Sequence, residues 1–183
     1  MHGNASQLAI DTSRIGVIGE SAGGGLAASL ALMVRDRGEL TLAFQHLISP
    51  MLDDRTAVRT DIPDTSRDVA WTFEDNAFGW SALLGSALGK EEVSPYAAAA
   101  RAQNLEGLPP AFLLIAPLDL LMEEELEYAR RLVRAGVPLE LHMYPGTYHG
   151  FVPACPNARV SLAAENDSRE ALRRAFQEKK ASL

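Results

Sequence analysis

The segment Gly19-Glu20-Ser21-Ala22-Gly23 places a serine between two glycines, in the pattern G-x-S-x-G. A short β-branched apolar stretch precedes it and an Ala- and Leu-rich stretch follows it, which predicts a strand, a tight turn and a helix in that order. Flanking glycines allow the sharp turn that exposes a serine hydroxyl at the carboxyl end of a strand, and the start of a helix favours negative charge there. This context predicts that Ser21 is a nucleophile.

Two other interpretations of the glycine-rich segment are open. A phosphate-binding loop would need G-x-G-x-x-G or G-x-x-x-x-G-K-[ST], and the segment fits neither pattern. A turn with a purely structural role is the second alternative. If Ser21 is the nucleophile, the backbone N–H of Ala22 is predicted to donate to the oxyanion that forms when the serine attacks a carbonyl group.

A serine nucleophile needs a histidine base and a carboxylate that orients the histidine. Asp119 directly follows a predicted strand, and His149 comes shortly after the next strand. Because parallel strands end at the same edge of a sheet, both side chains are expected close to Ser21. The other histidines fall inside predicted strands or at the N-terminus: His2, His46 and His142. The sequence therefore predicts His149 as the base and Asp119 as the acid.

Some alternatives stay open for the acid. Asp119 precedes a predicted helix, and an aspartate in that position is often a helix cap or turn former. Asp53 and Asp54 follow the second predicted strand and are the reserve candidates. Cys155 has no second histidine arranged to activate it, so we interpret it as a small, partly buried apolar residue.

The elements that must position these residues alternate between strand and helix. We predict strands over residues 14–19, 42–49, 111–115 and 138–144, and helices over 26–37, 121–135 and 168–180, the last with a start as early as Val160. Residues 51–110 are expected to be irregular, with helical pieces near 75–88 and 97–103. This alternation predicts an α/β fold with a parallel sheet.

Composition excludes several classes of partner. The formal net charge is −7 and no basic run is present, which argues against nucleic acid. One cysteine cannot form an intrachain disulfide and has no ligand cluster around it, so neither a metal nor another cofactor is expected. No apolar run is long enough to span a membrane, and the first residues do not form a signal peptide. We expect a cytoplasmic protein.

Several motifs together resemble the hormone-sensitive-lipase-like family of α/β-hydrolase esterases, the fold-3 bacterial carboxylesterases. They cover nearly all of the chain: residues 19–24, 108–111 leading into 119–124, and 135–138 running to 144–146 and 149–151, with further similarity at 76–80 and 93–96. The resemblance implies hydrolysis of a short-chain carboxylic ester through an acyl-enzyme, without a cofactor. It also implies Ser21 as nucleophile, Asp119 as acid and His149 as base.

Members of this family carry a His-Gly-Gly-Gly loop that supplies most of the oxyanion hole, and a helical cap, both well before the serine. Only 20 residues precede Ser21 here. We therefore expect one truncated domain, residues 1–183, with the C-terminal half of a mostly parallel sheet. Such a chain should be a weak or inactive enzyme by itself. Its nucleophile strand should form a bare sheet edge, which predicts homo-oligomers through that edge.

Two rival functions are compatible with the sequence. In the first, the chain is a non-catalytic interaction protein that pairs with another chain through the exposed strand edge. In the second, it is a thioesterase or peptidase that uses the same three residues. Reaction with a serine-directed phosphonate separates an enzyme from a binding protein, and a panel of ester, thioester and peptide substrates separates the chemistries.

Overall fold

The computed structural model describes residues 2–63 and 69–177. Its sheet contains strands β1 to β4 at Val17–Glu20, Gln45–Ile48, Ala111–Ile115 and Leu139–Met143. The helices α1 to α5 span Ala22–Arg37, Phe73–Leu84, Met122–Arg134, Phe151–Ala154 and Arg159–Gln177, with short 3-10 turns between some of them. All neighbouring strands pair in parallel, in the order β1-β2-β3-β4. The predicted α/β class with a parallel sheet is confirmed.

Each face of the sheet is covered by its own helices. One face, which carries Leu47, Leu113 and Ile115, packs against small and apolar residues of α1 and α3. The other face, which carries Phe112 and Leu114, packs against α4 and α5. Strand β3 is buried along its whole length, because it lies between two strands and two helix layers. This burial on both faces explains why Ala111–Ile115 has no alternation of polar and apolar residues.

The predicted element boundaries need several corrections. Helix α1 begins at Ala22 and not at residue 26, because the glycines that follow Ser21 form its first turn. The first two strands are shorter than predicted, and the last helix begins at Arg159, close to the earlier of the two predicted starts. Residues 178–180 of that predicted helix lie outside the described residues.

Among the described residues between β2 and β3, the regular helix is α2, which begins earlier than expected. Thr72 caps it: its hydroxyl accepts a hydrogen bond from the N–H of Asp75, and the Asp75 carboxylate accepts one from the Thr72 N–H. This reciprocal capping box explains the start at Phe73. The helical piece predicted near 97–103 is only a 3-10 turn at Ala99–Arg101.

Two buried carboxylates hold the loop that follows β2. Asp54 is fully buried and forms two hydrogen bonds with the Arg101 guanidinium, at 2.7 and 2.9 Å, and a third with the Gly89 N–H at 2.8 Å. Glu124 of α3 accepts hydrogen bonds from the N–H groups of Leu52, at 2.6 Å, and Asp53, at 3.1 Å, and from the Thr56 hydroxyl. These bonds fix an irregular loop to a regular helix.

Burial raises the pKa of the Glu124 carboxyl to about 8, against the opposing effect of the hydrogen bonds it accepts from Thr56 and Leu52. Burial also raises the pKa of its neighbour Glu125, whose carboxylate oxygens have no hydrogen-bond partner among the described residues. The fold therefore favours the protonated form of both side chains.

Across the described ranges, 2–63 and 69–177, the helices are all too short or too polar to cross a membrane.

Glu124 should make folding stability depend on pH. Its pKa is higher in the folded chain than its usual value near 4.5, so its contribution is complete below about pH 4.5 and decreases as the pH rises towards about 8. Glu124→Gln cannot ionise, so its free energy of unfolding should decrease less over this pH range. Urea unfolding at pH 5, 6, 7 and 8 measures the difference.

Glu124→Ala serves as the contrasting variant, because it leaves the buried Leu52 N–H and the partly buried Asp53 N–H without their acceptor. We expect it to lose roughly 1–3 kcal/mol more than Glu124→Gln at every pH. Equal pH dependence in the wild type and Glu124→Gln would contradict the assigned role of this carboxyl.

Candidate active site

Ser21 lies in a strained turn between β1 and α1. Its backbone has φ 54° and ψ −125°, a conformation that non-glycine residues rarely adopt. The Ser21 N–H donates to Ile48 O at 2.9 Å, and the Ser21 carbonyl accepts from Met51 N at 2.9 Å and Gly25 N at 3.1 Å. The side chain makes no hydrogen bond that caps the helix, so the hydroxyl is available to another partner.

The glycines around Ser21 are required by close packing. A Cβ at Gly19 would lie 2.1 Å from the Gly23 carbonyl oxygen, and a Cβ at Gly25 would lie 2.0 Å from the Met51 carbonyl oxygen. A Cβ at Gly24 would approach Pro50 to 2.8 Å, whereas a Cβ at Gly23 would meet nothing within 4 Å. The N-terminal turn of α1 thus packs directly on the backbone of β1 and of the loop after β2, which the sequence alone did not indicate.

His149 connects Ser21 to Asp119. The His149 Nε2 atom lies 2.8 Å from the Ser21 Oγ, and the His149 Nδ1 atom lies 2.6 Å from Asp119 Oδ2. Asp119 is 1% exposed, and the side chain of His149 is 12% exposed. The structure therefore brings together the three side chains that the sequence predicted as nucleophile, base and acid.

Asp119 also fulfils the alternative role that its position predicted. Its Oδ1 atom accepts a hydrogen bond from the Leu121 N–H at 3.0 Å, while its other oxygen contacts His149. The carboxylate is therefore held by the turn that leads into α3. A second tie joins this turn to the histidine loop, since the Leu118 N–H donates to the Thr147 carbonyl at 3.0 Å.

The reserve carboxylates make other contacts. Asp53 forms an ion pair with Arg55, with 2.6 Å between Asp53 Oδ2 and Arg55 Nη2, and accepts from the Arg55 N–H. Asp54 binds Arg101, as described above. Both carboxylates are bound by their own loop or by a neighbouring one, so the structure does not bring either to His149.

The other histidines that the structure describes in full belong to the sheet. His46 of β2 stacks on Phe112 with ring centres 4.1 Å apart, its Nε2 atom lies 2.8 Å from Ser168 Oγ, and burial lowers its pKa to about 4. His142 of β4 contacts Glu140 at 2.9 Å. The side chain of His2 lies outside the described part of the molecule.

One expectation about a side chain is wrong. Cys155 is exposed and not partly buried, and its Sγ lies 3.5 Å from the Tyr148 hydroxyl. It follows directly on the short helix α4, and the sequence pattern of that region did not reveal that the chain leaves the core there.

Trp71 is a neighbour of His149 that no sequence pattern indicated. The ring centres of the two side chains are 5.9 Å apart, with an angle of 34° between the ring planes. The indole N–H donates to Asn76 Oδ1 at 3.3 Å. Trp71 is separated from His149 by 78 positions along the chain, so only the tertiary structure brings them together.

Ala22 is the first residue of α1. The first N–H groups of a helix have no acceptor within the helix, and they face the space beyond its N-terminus. The Ala22 N–H therefore belongs to the positively polarised end of α1, next to the Ser21 hydroxyl.

Comparison with known proteins identifies a consistent set of relatives. A family model described as alpha/beta hydrolase fold matches residues 1–153. Carboxylesterase NlhH of Mycobacterium tuberculosis is 35% identical over 178 residues, which are 94% of this chain and 54% of NlhH.

Two solved structures are similar over nearly the whole chain. A bacterial heroin esterase has 42% sequence identity and a TM-score of 0.88, over 97% of this chain and 56% of that one. Esterase LipW from Mycobacterium marinum has 34% identity and a TM-score of 0.86, over 96% of this chain and 54% of that one. The chain thus spans about half the length of the relatives it matches.

Close packing around Ser21 leads to a prediction about its glycines. Gly25→Ala forces a methyl group against the Met51 carbonyl, and overpacking of this kind costs roughly 1–3 kcal/mol or more. Gly23→Ala is the matched control in the same helical turn, because its methyl group meets nothing and alanine favours helix. Thermal unfolding followed by circular dichroism should show a lower midpoint for Gly25→Ala only. Equal midpoints for the two variants would contradict the close approach described here.

Proposed function

The chain belongs to the α/β-hydrolase fold family, within which it matches the C-terminal portion of the hormone-sensitive-lipase-like carboxylesterases, and we propose that it carries the catalytic residues of a serine carboxylesterase. The proposed reaction is hydrolysis of a short-chain carboxylic ester through an acyl-enzyme on Ser21. The family assignment and the geometry of the site support the same chemistry.

One observation carries the proposal. His149 is hydrogen-bonded to Ser21 Oγ on one side, at 2.8 Å, and to Asp119 on the other, at 2.6 Å. The three side chains lie in three separate loops, and each loop follows the carboxyl end of a parallel strand. A serine next to a histidine that is oriented by a buried carboxylate has the geometry of nucleophilic catalysis.

In the acylation step, Ser21 Oγ attacks the ester carbonyl carbon while His149 Nε2 accepts the hydroxyl proton. Asp119 holds His149 so that Nε2 is free to act as base, and it stabilises the imidazolium that forms. When the tetrahedral intermediate breaks down, the bond to the alcohol oxygen breaks and His149 donates its proton to that oxygen. The alcohol leaves, and the acyl group is esterified to Ser21.

Deacylation repeats these steps with water as the nucleophile. His149 removes a proton from the water, the hydroxide oxygen attacks the acyl carbon, and the proton then passes to Ser21 Oγ as the carboxylic acid leaves. Every proton in this scheme moves through His149 Nε2, so no cofactor is required by the proposal.

The oxyanion needs hydrogen-bond donors. We assign one to the Ala22 N–H at the N-terminus of α1. The related esterases use a His-Gly-Gly-Gly loop ahead of the nucleophile, and these 183 residues contain no such loop. Because we assign only this one donor among the 183 residues, we expect the chain alone to be a weak catalyst.

The rival functions make different demands. An interaction protein would not need Ser21, His149 and Asp119 in hydrogen-bond contact, whereas a thioesterase or peptidase would use the same contacts. The names of the relatives favour ester hydrolysis over these two chemistries. A cytoplasmic location is suggested only by the composition of the chain and stays a prediction.

Ser21→Ala should reduce hydrolysis of p-nitrophenyl acetate to the uncatalysed rate, because no neighbouring group can replace the hydroxyl. A fluorophosphonate should label the wild type once, at Ser21, and leave the variant unlabelled, as measured by mass spectrometry of the peptides. Labelling also detects a competent nucleophile when turnover is slow. Hydrolysis or labelling that survives the substitution would overturn the assignment.

The acid is tested in the same assay with two aspartates. Asp119→Asn should lower the rate by roughly 10⁴-fold, as loss of the orienting carboxylate does in serine hydrolases. Asp53→Asn is the control, because Asp53 contacts Arg55 and not His149. The opposite ranking would move the acid to the loop after β2.

We also propose that this chain forms homo-oligomers through the edge of β1. Ile18 of this strand is 58% exposed, and nearby α1 exposes Leu26 and Leu30. Ile18→Lys places a charge on the edge and should shift the chain towards monomer, whereas Leu141→Lys at the other sheet edge should not. Size-exclusion chromatography with light scattering measures both. A monodisperse monomer of the wild-type chain would contradict the proposal.

A further inference from the structure

Trp71 lies beside His149, with its ring packed on the small core that contains Trp80. We propose that its indole forms the wall against which the alcohol portion of the ester binds, so that the site prefers esters of aromatic alcohols. This inference rests on the proposed function and deepens it, since it assigns a substrate class to the same site. The proposal rests on the position of the indole next to His149, on the contacts that hold it there and on its partial exposure.

The proton path defines which side of the site holds the alcohol. His149 Nε2 has to donate a proton to the leaving oxygen, so that oxygen lies within hydrogen-bond distance of Nε2 in the transition state. Any group attached to this oxygen therefore lies next to the imidazole. The Trp71 ring centre is 5.9 Å from the His149 ring centre, which is within the range of aromatic contacts. A planar group on the leaving oxygen can thus contact the indole.

The indole is fixed in this position by several contacts. Its N–H donates to the side chain of Asn76, which is fully buried in α2. Gly79, one turn later, lies next to the ring, since a Cβ there would be in ordinary van der Waals contact with Trp71 Cζ2, at 3.9 Å. The preceding residue, Ala70, has φ 64°, a left-handed conformation that is unfavourable for alanine. Strain of this kind is tolerated where the surrounding structure determines the conformation.

The other tryptophan shows that packing alone does not explain this placement. Trp80 is 2% exposed and lies within the small core formed with Met51, Ala57 and Leu121. Trp71 packs on the edge of the same core but is only half-buried. A residue that served the core alone would be covered as Trp80 is, whereas Trp71 keeps part of its ring available next to the histidine.

The indole also has an electrostatic role in this position. His149 carries a positive charge in both tetrahedral intermediates, and the electron-rich face of an indole attracts a cation within about 6 Å. Trp71 is therefore a positioning residue for His149 as well as a determinant of specificity. The two effects can be separated by experiment. Positioning of His149 affects the hydrolysis of every ester, whereas contact with the indole affects only esters whose alcohol has a ring.

The test compares phenyl acetate with 2,2,2-trifluoroethyl acetate, which have the same acyl group and activated leaving groups but differ in the aromatic ring. For Trp71→Ala, we expect kcat/KM for phenyl acetate to decrease about three- to tenfold more than kcat/KM for the trifluoroethyl ester, as loss of an aromatic contact predicts. Trp71→Phe should restore most of this preference. Phe78→Ala, at an exposed aromatic residue of α2, is the control and should leave the ratio unchanged.

A second measurement does not depend on turnover. Phosphonate diesters with a phenoxide or a trifluoroethoxide leaving group label Ser21, and the ratio of their labelling rates is compared between the wild type and each variant. Because intrinsic reactivity cancels in this comparison, only contacts to the leaving group change the ratio. If Trp71→Ala fails to fold, as judged by circular dichroism, Trp71→Leu removes the ring at smaller loss of volume.

The outcomes separate this inference from the proposed function. Failure of both phosphonates to label wild-type Ser21 overturns the proposed function and this inference with it. Labelling that depends on Ser21 but shows the same ratio in the wild type, Trp71→Ala and Trp71→Leu overturns only the inference. A lower phenoxide preference in the ring-free variants, with recovery in Trp71→Phe, supports it.

Discussion

The backbone of Ser21 is the constraint on which the site depends. A residue with φ 54° and ψ −125° at the end of a strand reverses the chain immediately into a helix, so β1 and α1 have almost no connecting loop. Such a turn persists only when its surroundings determine it. Two hydrogen bonds, from Ser21 N to Ile48 O and from Met51 N to Ser21 O, hold the turn in this conformation, because they tie it to the end of β2. The close approach of Gly19 to Gly23, and of Gly25 to Met51, follows from the same geometry.

The remaining parts of the site are held by loops that share hydrogen bonds with one another. Asp119 accepts from the backbone at the start of α3 and from His149, and the loop before His149 accepts from the N–H of Leu118. Glu124, on the same helix, holds the loop after β2 that also contacts Ser21 through Met51. A single helix, α3, therefore links Asp119 to the loop that contacts Ser21. The hydrogen bonds that Glu124 accepts in this linkage compensate in part for the burial of its carboxyl group.

The chain represents about half the length of the relatives it matches, and both edge strands of its sheet, β1 and β4, expose some of their apolar side chains. In our proposal, the described residues supply a nucleophile, a base and an acid, and the N-terminus of α1 is the one source of oxyanion donors that we assign among them. Strand β1 is the edge next to the nucleophile, and its exposed Ile18 lies on the face that α5 covers further along the sheet. Association at this edge and the binding of further oxyanion donors would therefore involve the same surface, next to Ser21.

The sequence by itself determined the α/β class, the position of β3 at Ala111–Ile115 and the three residues that converge at the sheet edge, because these depend on local patterns and on chain order. The G-x-S-x-G segment encodes a local turn, and residues that follow parallel strands must meet at one edge. The tertiary structure decided what depends on distant contacts. The start of α1 at Ala22 follows from packing of its glycines on Met51 and Pro50, and Asp54 is excluded as the acid by its bond to Arg101. The position of Trp71 beside His149 and the exposure of Cys155 also depend on contacts between distant parts of the chain. Local sequence periodicity does not indicate which distant segments pack together in the folded chain.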